Sequence, residues 1–319
     1  GYNYLYFSNK NIRSDIWLGT THDVVKRRKI VSGESTGKFQ EFHFQKNNIS
    51  WFPDGIRFAF VSKTATGDKI YIMDYLTEKI LEVIDFRQFD AVYEIDVSND
   101  GSRIAFSGLT EHRNDIYIYD LESSEITQLN RDNYDDSQPR WSPDDSKLAF
   151  VSERDLIDQK EGKHVFDSIT EDIYYYDLIQ YKIYQINSDE VNNTSPIWTS
   201  DGDKILFITE RQFTFNFDLI DLISGERAEI TSSLGSIFTG DLSKNDERLI
   251  FSCYYNEGWD IYIKENPLDS LNFTQYGLPV PVGSKPLFYE RFQLQRYKYF
   301  GRKDKKTVEK EQKDKQTPS

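Results

Sequence analysis

One cysteine, Cys253, stands in 319 residues, so neither an internal disulfide nor a cysteine-based metal site can form. Low cysteine use suits the cytosol and equally a bacterial periplasm, so it does not fix a compartment. Histidine is scarce as well. His22, His43, His112 and His164 fall in loops or at strand edges without the spacing of metal ligands, so no metal role is assigned. Basic charge is short: 39 Lys and Arg against 53 Asp and Glu leave a net charge of −14. That balance disfavours nucleic acid as a partner, because phosphate contacts need basic surface. No apolar run approaches the length of a membrane-spanning helix. No glycine-rich phosphate loop is present, and no cofactor is implied. The chain begins at Gly1 without a visible leader. It reads as an internal fragment or a processed product, so the missing leader carries no information.

What the sequence has in excess is aromatic residues, 21 Tyr and 22 Phe, which favour strands. They fall in a repeat. Trp141-Ser-Pro-Asp-Asp-Ser-Lys-Leu-Ala-Phe150 matches Trp51-Phe-Pro-Asp-Gly-Ile-Arg-Phe-Ala-Phe60. Further copies run from Val97 to Phe106, from Trp198 to Phe207 and from Leu242 to Phe251, and Gly1–Ser8 lies over Gly55–Ser62. The anchors Tyr6, Phe60, Phe106, Phe150, Phe207 and Phe251 are spaced by 54, 46, 44, 57 and 44 residues. Periods of about 40–50 residues are those of four-stranded propeller blades. Each copy carries a following strand such as Asp115-Ile-Tyr-Ile-Tyr-Asp120 or Asp172-Ile-Tyr-Tyr-Tyr-Asp177.

In each blade strand A ends at Trp, a Pro-Asp-Gly turn follows, strand B ends at Phe, and strands C and D complete the sheet. Proline presets φ for the turn, Asp bonds its own backbone two residues on, and Gly supplies positive φ. The repeated Asp residues therefore hold turns and are not catalytic candidates. The predicted fold is all-β: a six-bladed propeller of four-stranded antiparallel blades, with the first blade lacking its innermost strand and five blades complete. The predicted domain boundaries are 1–277 for the propeller, 278–300 for an exit segment and 301–319 for a disordered charged linker. That linker carries seven Lys/Arg against four Asp/Glu. A segment such as Ser284–Tyr289 is the alternative source of the missing strand.

The Trp-Ser-Pro-Asp and Asp-Ile-Tyr-x-x-Asp pair resembles the TolB propeller repeat over residues 1–275. Phe106-Ser-Gly-Leu109, Asp115-Ile-Tyr117, Leu129–Pro139 and Gly258–Tyr262 also resemble one bacterial envelope lineage. In that lineage the propeller follows a gluzincin-like peptidase domain and precedes an outer-membrane surface-antigen barrel. The resemblance implies a periplasmic or outer-membrane-associated setting. The His-Glu-x-x-His zinc motif of such a peptidase does not occur in the chain.

The segment Gly33-Glu-Ser-Thr-Gly37 matches a nucleophile elbow, but no amphipathic helix follows it, so it reads as a loop. The long intervals are more informative. One excess falls between strands B and C at Glu153–Glu171, the other between strands D and A at Ser32–Lys46. Up-and-down connectivity puts both on one face of the disc, and clustered insertions mark binding faces. The candidate partner-binding residues there are Tyr134, Asp135, Asp136, Asp155, Asp158, Glu161, His164 and Phe166, with Asp132, Asp189 and Glu190 nearby. The expectation is a non-catalytic, monomeric interaction module that takes a basic protein partner. The alternative is an accessory or gating propeller of a peptidase or hydrolase whose catalytic domain lies outside the chain. A third reading, catalysis in the central channel, would draw on Glu94, Asp96, Arg140 and Asp241.

Overall fold

The computed structural model describes residues 3–10, 13–21, 26–33, 39–43, 46, 48–111, 113–154, 170–187, 191–211, 213–282, 291–293 and 296–298. These form six antiparallel sheets, and no helix occurs among them. The first blade has three strands, β1 (Asn3–Lys10), β2 (Arg13–Thr20) and β3 (Arg28–Ser32). The second has β4 (Ile49–Trp51), β5 (Arg57–Thr64), β6 (Gly67–Asp74) and β7 (Lys79–Asp85). The third has β8 (Ala91–Val97), β9 (Arg103–Thr110), β10 (Arg113–Asp120) and β11 (Glu125–Gln128). The fourth has β12 (Asp136–Trp141), β13 (Lys147–Ser152), β14 (Asp172–Asp177) and β15 (Lys182–Gln185). The fifth has β16 (Asn193–Trp198), β17 (Lys204–Arg211), β18 (Thr214–Asp221) and β19 (Glu226–Glu229). The sixth has β20 (Ser236–Leu242), β21 (Arg248–Tyr255) and β22 (Gly258–Glu265).

The six-bladed fold and the missing inner strand of the first blade agree with the repeat. The expectation of five complete blades does not hold among the described residues, because the sixth also has three strands. The chain beyond it turns back along the rim instead. β23 (Thr274–Gln275) pairs with β19, β24 (Val280–Pro281) with β15, β25 (Arg291–Gln293) with β11 and β26 (Arg296–Lys298) with β7. The end of the predicted propeller thus covers the outer edge of blade five, and parts of the predicted exit segment cover those of blades four to two, where unpaired backbone groups would otherwise face solvent. Ser284–Tyr289 and the predicted linker 301–319 lie outside the described residues.

The core is divided among blade interfaces. Ile16 and Val31 of the first blade meet Phe58, Phe60 and Tyr71 of the second. Ile70 and Ile84 meet Val92, Phe106 and Tyr117, and Ile116 meets Trp141 and Phe150. Ile173 meets Trp198 and Phe207, and Phe217 meets Ile237 and Leu249. Each buried aromatic or aliphatic side chain contributes about 1.5–3 kcal/mol. No such cluster joins the sixth blade to the first among the described residues, and Tyr254, Trp259 and Ile261 stay exposed there.

The turn position that favours glycine has positive φ in five copies: Gly55 (66°), Gly101 (72°), Asp145 (57°), Gly202 (72°) and Asp246 (58°). Where Asp replaces Gly, its side chain bonds the turn of the preceding blade. Asp145 accepts from the amides of Asn99 and Asp100 at 2.7 and 2.8 Å, and Asp246 accepts from that of Ser200 at 3.0 Å. These bonds offset the cost of the left-handed conformation in a residue with a Cβ.

Candidate interaction face and central channel

The two ends of the blades are chemically different. C–D turns bond back to A–B turns, as in Leu121 N to Ser102 O and Leu178 N to Ser146 O, both at 2.9 Å. B–C loops and D–A connections meet at the other end, as in Asn193 N to Glu171 O at 2.7 Å. The described ends of both long intervals, Glu153, Arg154 and Glu171 in one and Ser32, Gly33 and Lys46 in the other, therefore lie at this end of the blades.

Inside the ring, the inner strands β8, β12 and β16 each carry a bulge, with Glu94, Gln138 and Ser195 at φ near 51–55°. Each bulge exposes an amide toward the preceding blade, and a side chain there accepts it. Asn48 Oδ1 takes the Glu94 amide at 2.6 Å, Glu94 Oε2 takes that of Gln138 at 3.0 Å, and Gln138 Oε1 takes that of Ser195 at 2.6 Å. A second tier lies two residues on. Ser50 Oγ accepts from Val97 N, and Asp96 accepts from Trp141 N at 2.9 Å. The repeat Trp joins this tier: Trp141 donates its indole N–H to Asp96 O, and Trp198 donates to Arg140 O.

The structure thus brings together the four inner-strand candidates Glu94, Asp96, Arg140 and Asp241. Glu94 is 3% exposed and also accepts from Ser107, with Lys46 Nζ at 3.1 Å. Burial raises the Asp96 pKa against the pull of Arg140 and the Trp141 amide, whereas Asp241 stands on the exposed side of β20 and keeps its solvent. Burial pulls the Lys46 ammonium down, but Glu94 outweighs it and the pKa is raised. Glu94, Asp96 and Arg140 are engaged in bonds between blades, whereas Asp241 accepts from the amide of its neighbour Leu242. Among the described residues no three His, Cys, Asp or Glu side chains are placed to hold a metal.

On the loop face, three of the eight predicted partner-binding residues are described. Tyr134 and Asp135 are half-buried in the connection leading to β12, where Asp135 Oδ1 accepts from Asn114 N at 3.1 Å. Asp136 departs from the expectation of a surface residue. It is fully buried and binds Arg154 at 2.8 Å, because it opens an inner strand rather than closing a loop. Asp155, Asp158, Glu161, His164 and Phe166, with Asp189 and Glu190, lie outside the described residues. So do His22, His112 and residues 34–38 of the elbow-like segment.

Three residues escaped sequence reasoning. Arg154 begins an insertion and reads as loop charge, yet its side chain is 3% exposed. It pairs with Asp132 at 2.6 Å and with Asp136, and it lies 5.3–5.7 Å from the centres of the Phe150, Tyr134 and Tyr174 rings. Asn48 is fully buried and carries no motif. His43 places Nε2 3.1 Å from Asp68 and stacks edge-on to Tyr93, just after Phe39 and Phe42 dock into the first interface. Its only sequence signal is the Phe-x-x-Phe-His pattern within the long D–A connection.

Comparison with known proteins agrees with the fold. Residues 31–159 match the family model described as PD40, TolB beta propeller domain. TolB from Acinetobacter baumannii superposes with a TM-score of 0.62 at 18% identity, over 84% of this chain and 60% of that one. The chain therefore spans less than two thirds of that protein. The putative TolB from Agrobacterium tumefaciens gives 0.61 at 16% identity, over 78% and 83% of the two chains. An acylaminoacyl peptidase in complex with a chloromethyl ketone gives 0.51 at 15% identity, over 89% of this chain and 43% of that one. No curated protein sequence matches the chain.

Proposed function

We propose that this TolB-like propeller is a non-catalytic protein-interaction module of a bacterial envelope-associated multidomain protein, and that it binds a basic partner through its loop face. The observation that carries the reading is the concentration of unfavourably placed carboxylates on that face. Burial raises the pKa values of Glu153 and Glu171, with Asp135 and Asp136 adding to the first and Lys46 opposing the second. Groups held against their own solvation gather at functional sites more than elsewhere. A cationic partner would relieve them, and its binding would be steered by charge. The periplasmic setting rests on resemblance to TolB alone.

Calorimetric titration with a lysine-rich peptide over a range of salt tests the charge term. Affinity should fall steeply as ionic strength rises. Binding that is absent, or insensitive to salt, removes the acidic face as the site.

A second reading has its own observation. The matched region covers less than half of the acylaminoacyl peptidase chain, so one solved protein joins this fold to further sequence. An accessory or gating propeller predicts a zinc motif or hydrolase elbow in the flanking coding sequence, and finding neither there would dismiss it.

A further inference from the structure

The third and fourth blades repeat one polar arrangement with a single change. In the fourth, Asp172 opens strand C, accepts from Gln185 thirteen residues on at 3.3 Å, and accepts from Asn193 Nδ2 twenty-one residues on at 3.3 Å. In the third, Asp115 stands at the same place before Ile-Tyr and accepts from Gln128, also thirteen residues on, at 3.0 Å. The residue twenty-one on is Asp136, so a carboxylate occupies the position of the amide donor. Asp115 is 5% exposed and Asp136 0%. Among the described residues Oδ1 of each has no hydrogen-bond partner, whereas each Oδ2 has partners.

We infer that Asp115 and Asp136 are a buried acid pair that shares one proton, an O–H···O bond replacing the carboxylate–amide bond of Asp172 and Asn193. Two ionised carboxylates facing each other in a buried site repel, and one shared proton turns that repulsion into a charge-assisted bond. The surroundings settle which side carries the charge. Burial raises the Asp136 pKa and Asp132 adds to it, but the Arg154 guanidinium 2.8 Å away, with Ser152 and Asn130, opposes both by direct contact. Asp115 has Gln128 on Oδ2, with Arg113 and Arg154 farther off and outweighed by Asp136 and Asp132. The proton therefore resides on Asp115. Burial first, then Asp136 and Asp132, push its pKa up to about 7.

The folded-state pKa lies above the unfolded one, so the stabilising proton is fully held in acid and is lost to solvent as pH rises through about 7. Its loss leaves two anions at the root of β12. There Asn130 and Arg154 tie Asp136 to Asp132, in the connection that carries Tyr134 and Asp135. The shared proton is thus a pH-sensitive fastening of that connection. It does not depend on what the face binds.

The test is carboxyl-carbon NMR of the full chain labelled at aspartate, with thermal unfolding followed between about pH 5 and 8. One aspartate should titrate near neutrality, and stability should fall across that range. Both features should vanish in Asp115→Asn. They should vanish too in Asp136→Asn, which installs the Asp172–Asn193 bond and so protects against a variant that fails to fold. If every aspartate titrates in the ordinary acidic range, or the neutral titration survives in Asp115→Asn, the shared proton is wrong. A neutral-range signal that moves on adding calcium and returns with chelator would assign the orphan oxygens to a cation and overturn it equally.

Discussion

The turn face and the loop face of this propeller use the same residue, aspartate, in opposite ways. On the turn face the carboxylates of Asp144 and Asp201 are held down to about 2: burial works against them, but nearby hydroxyls and backbone amides outweigh it. Asp54, Asp100, Asp120 and Asp221 are lowered for the same reason. On the loop face and in the channel the carboxylates of Asp96, Asp115, Asp136 and Glu171 are raised, because burial outweighs their partners. The turn face satisfies each carboxylate within its own turn or the adjoining one. The loop face holds its carboxylates through longer connections between strands and blades. The first arrangement serves the fold and repeats, whereas the second varies from blade to blade and is where a partner could be recognised.

The largest effect should come from breaking the loop-face network at its centre. Arg154→Ala leaves Asp132 and Asp136 without their cation, and removing one partner of a buried pair costs about 3–5 kcal/mol. Urea unfolding would show it, and a loss below about 1 kcal/mol would mean that water replaces the guanidinium. Glu94→Ala should cost about 2 kcal/mol, since it orphans the Gln138 amide and leaves Ser107 only the longer bond to Tyr93 O. On the turn face, Asp145→Gly should relax the left-handed backbone yet lose the bonds to Asn99 and Asp100, for a net loss of about 1 kcal/mol. A gain in stability there would show that backbone strain outweighs the bonds between blades.

Acid sharpens the contrast in sign. Asp144 and Asp201 have folded pKa values below their unfolded ones. Their stabilisation is present above the usual carboxylate range and is lost as pH falls through about 2, opposite to Asp115. Asp144→Ala should therefore flatten the acid limb of the unfolding profile slightly and leave the neutral range unchanged.

The turn face was legible in the sequence because its chemistry is local. Pro-Asp-Gly and its neighbours make their bonds within a few residues, so repetition of letters reports repetition of structure. The inner lattice was not legible, although it repeats as faithfully. Asn48, Glu94 and Gln138 supply the accepting group from three residue types, because what recurs is the bulged amide of the next blade, at Glu94, Gln138 and Ser195, and any acceptor of suitable length serves. Asp136 was misplaced for a related reason: the polar run Asp132–Gln138 gives no sign of where the inner strand begins. The rim strands β23–β26 are two or three residues long, too short for alternation to register.

The distinction between the faces carries the functional account, and paired charge reversal tests it most directly. Affinity for a lysine-rich peptide at low salt would be measured for the parent chain, for Asp135→Lys with Glu153→Lys on the loop-face side, and for Glu122→Lys with Glu247→Lys on the turn face. The account predicts that the first pair abolishes binding while the second leaves affinity within about twofold. Equal losses from both pairs would show that only net charge matters, and would contradict a recognition surface confined to the loop face.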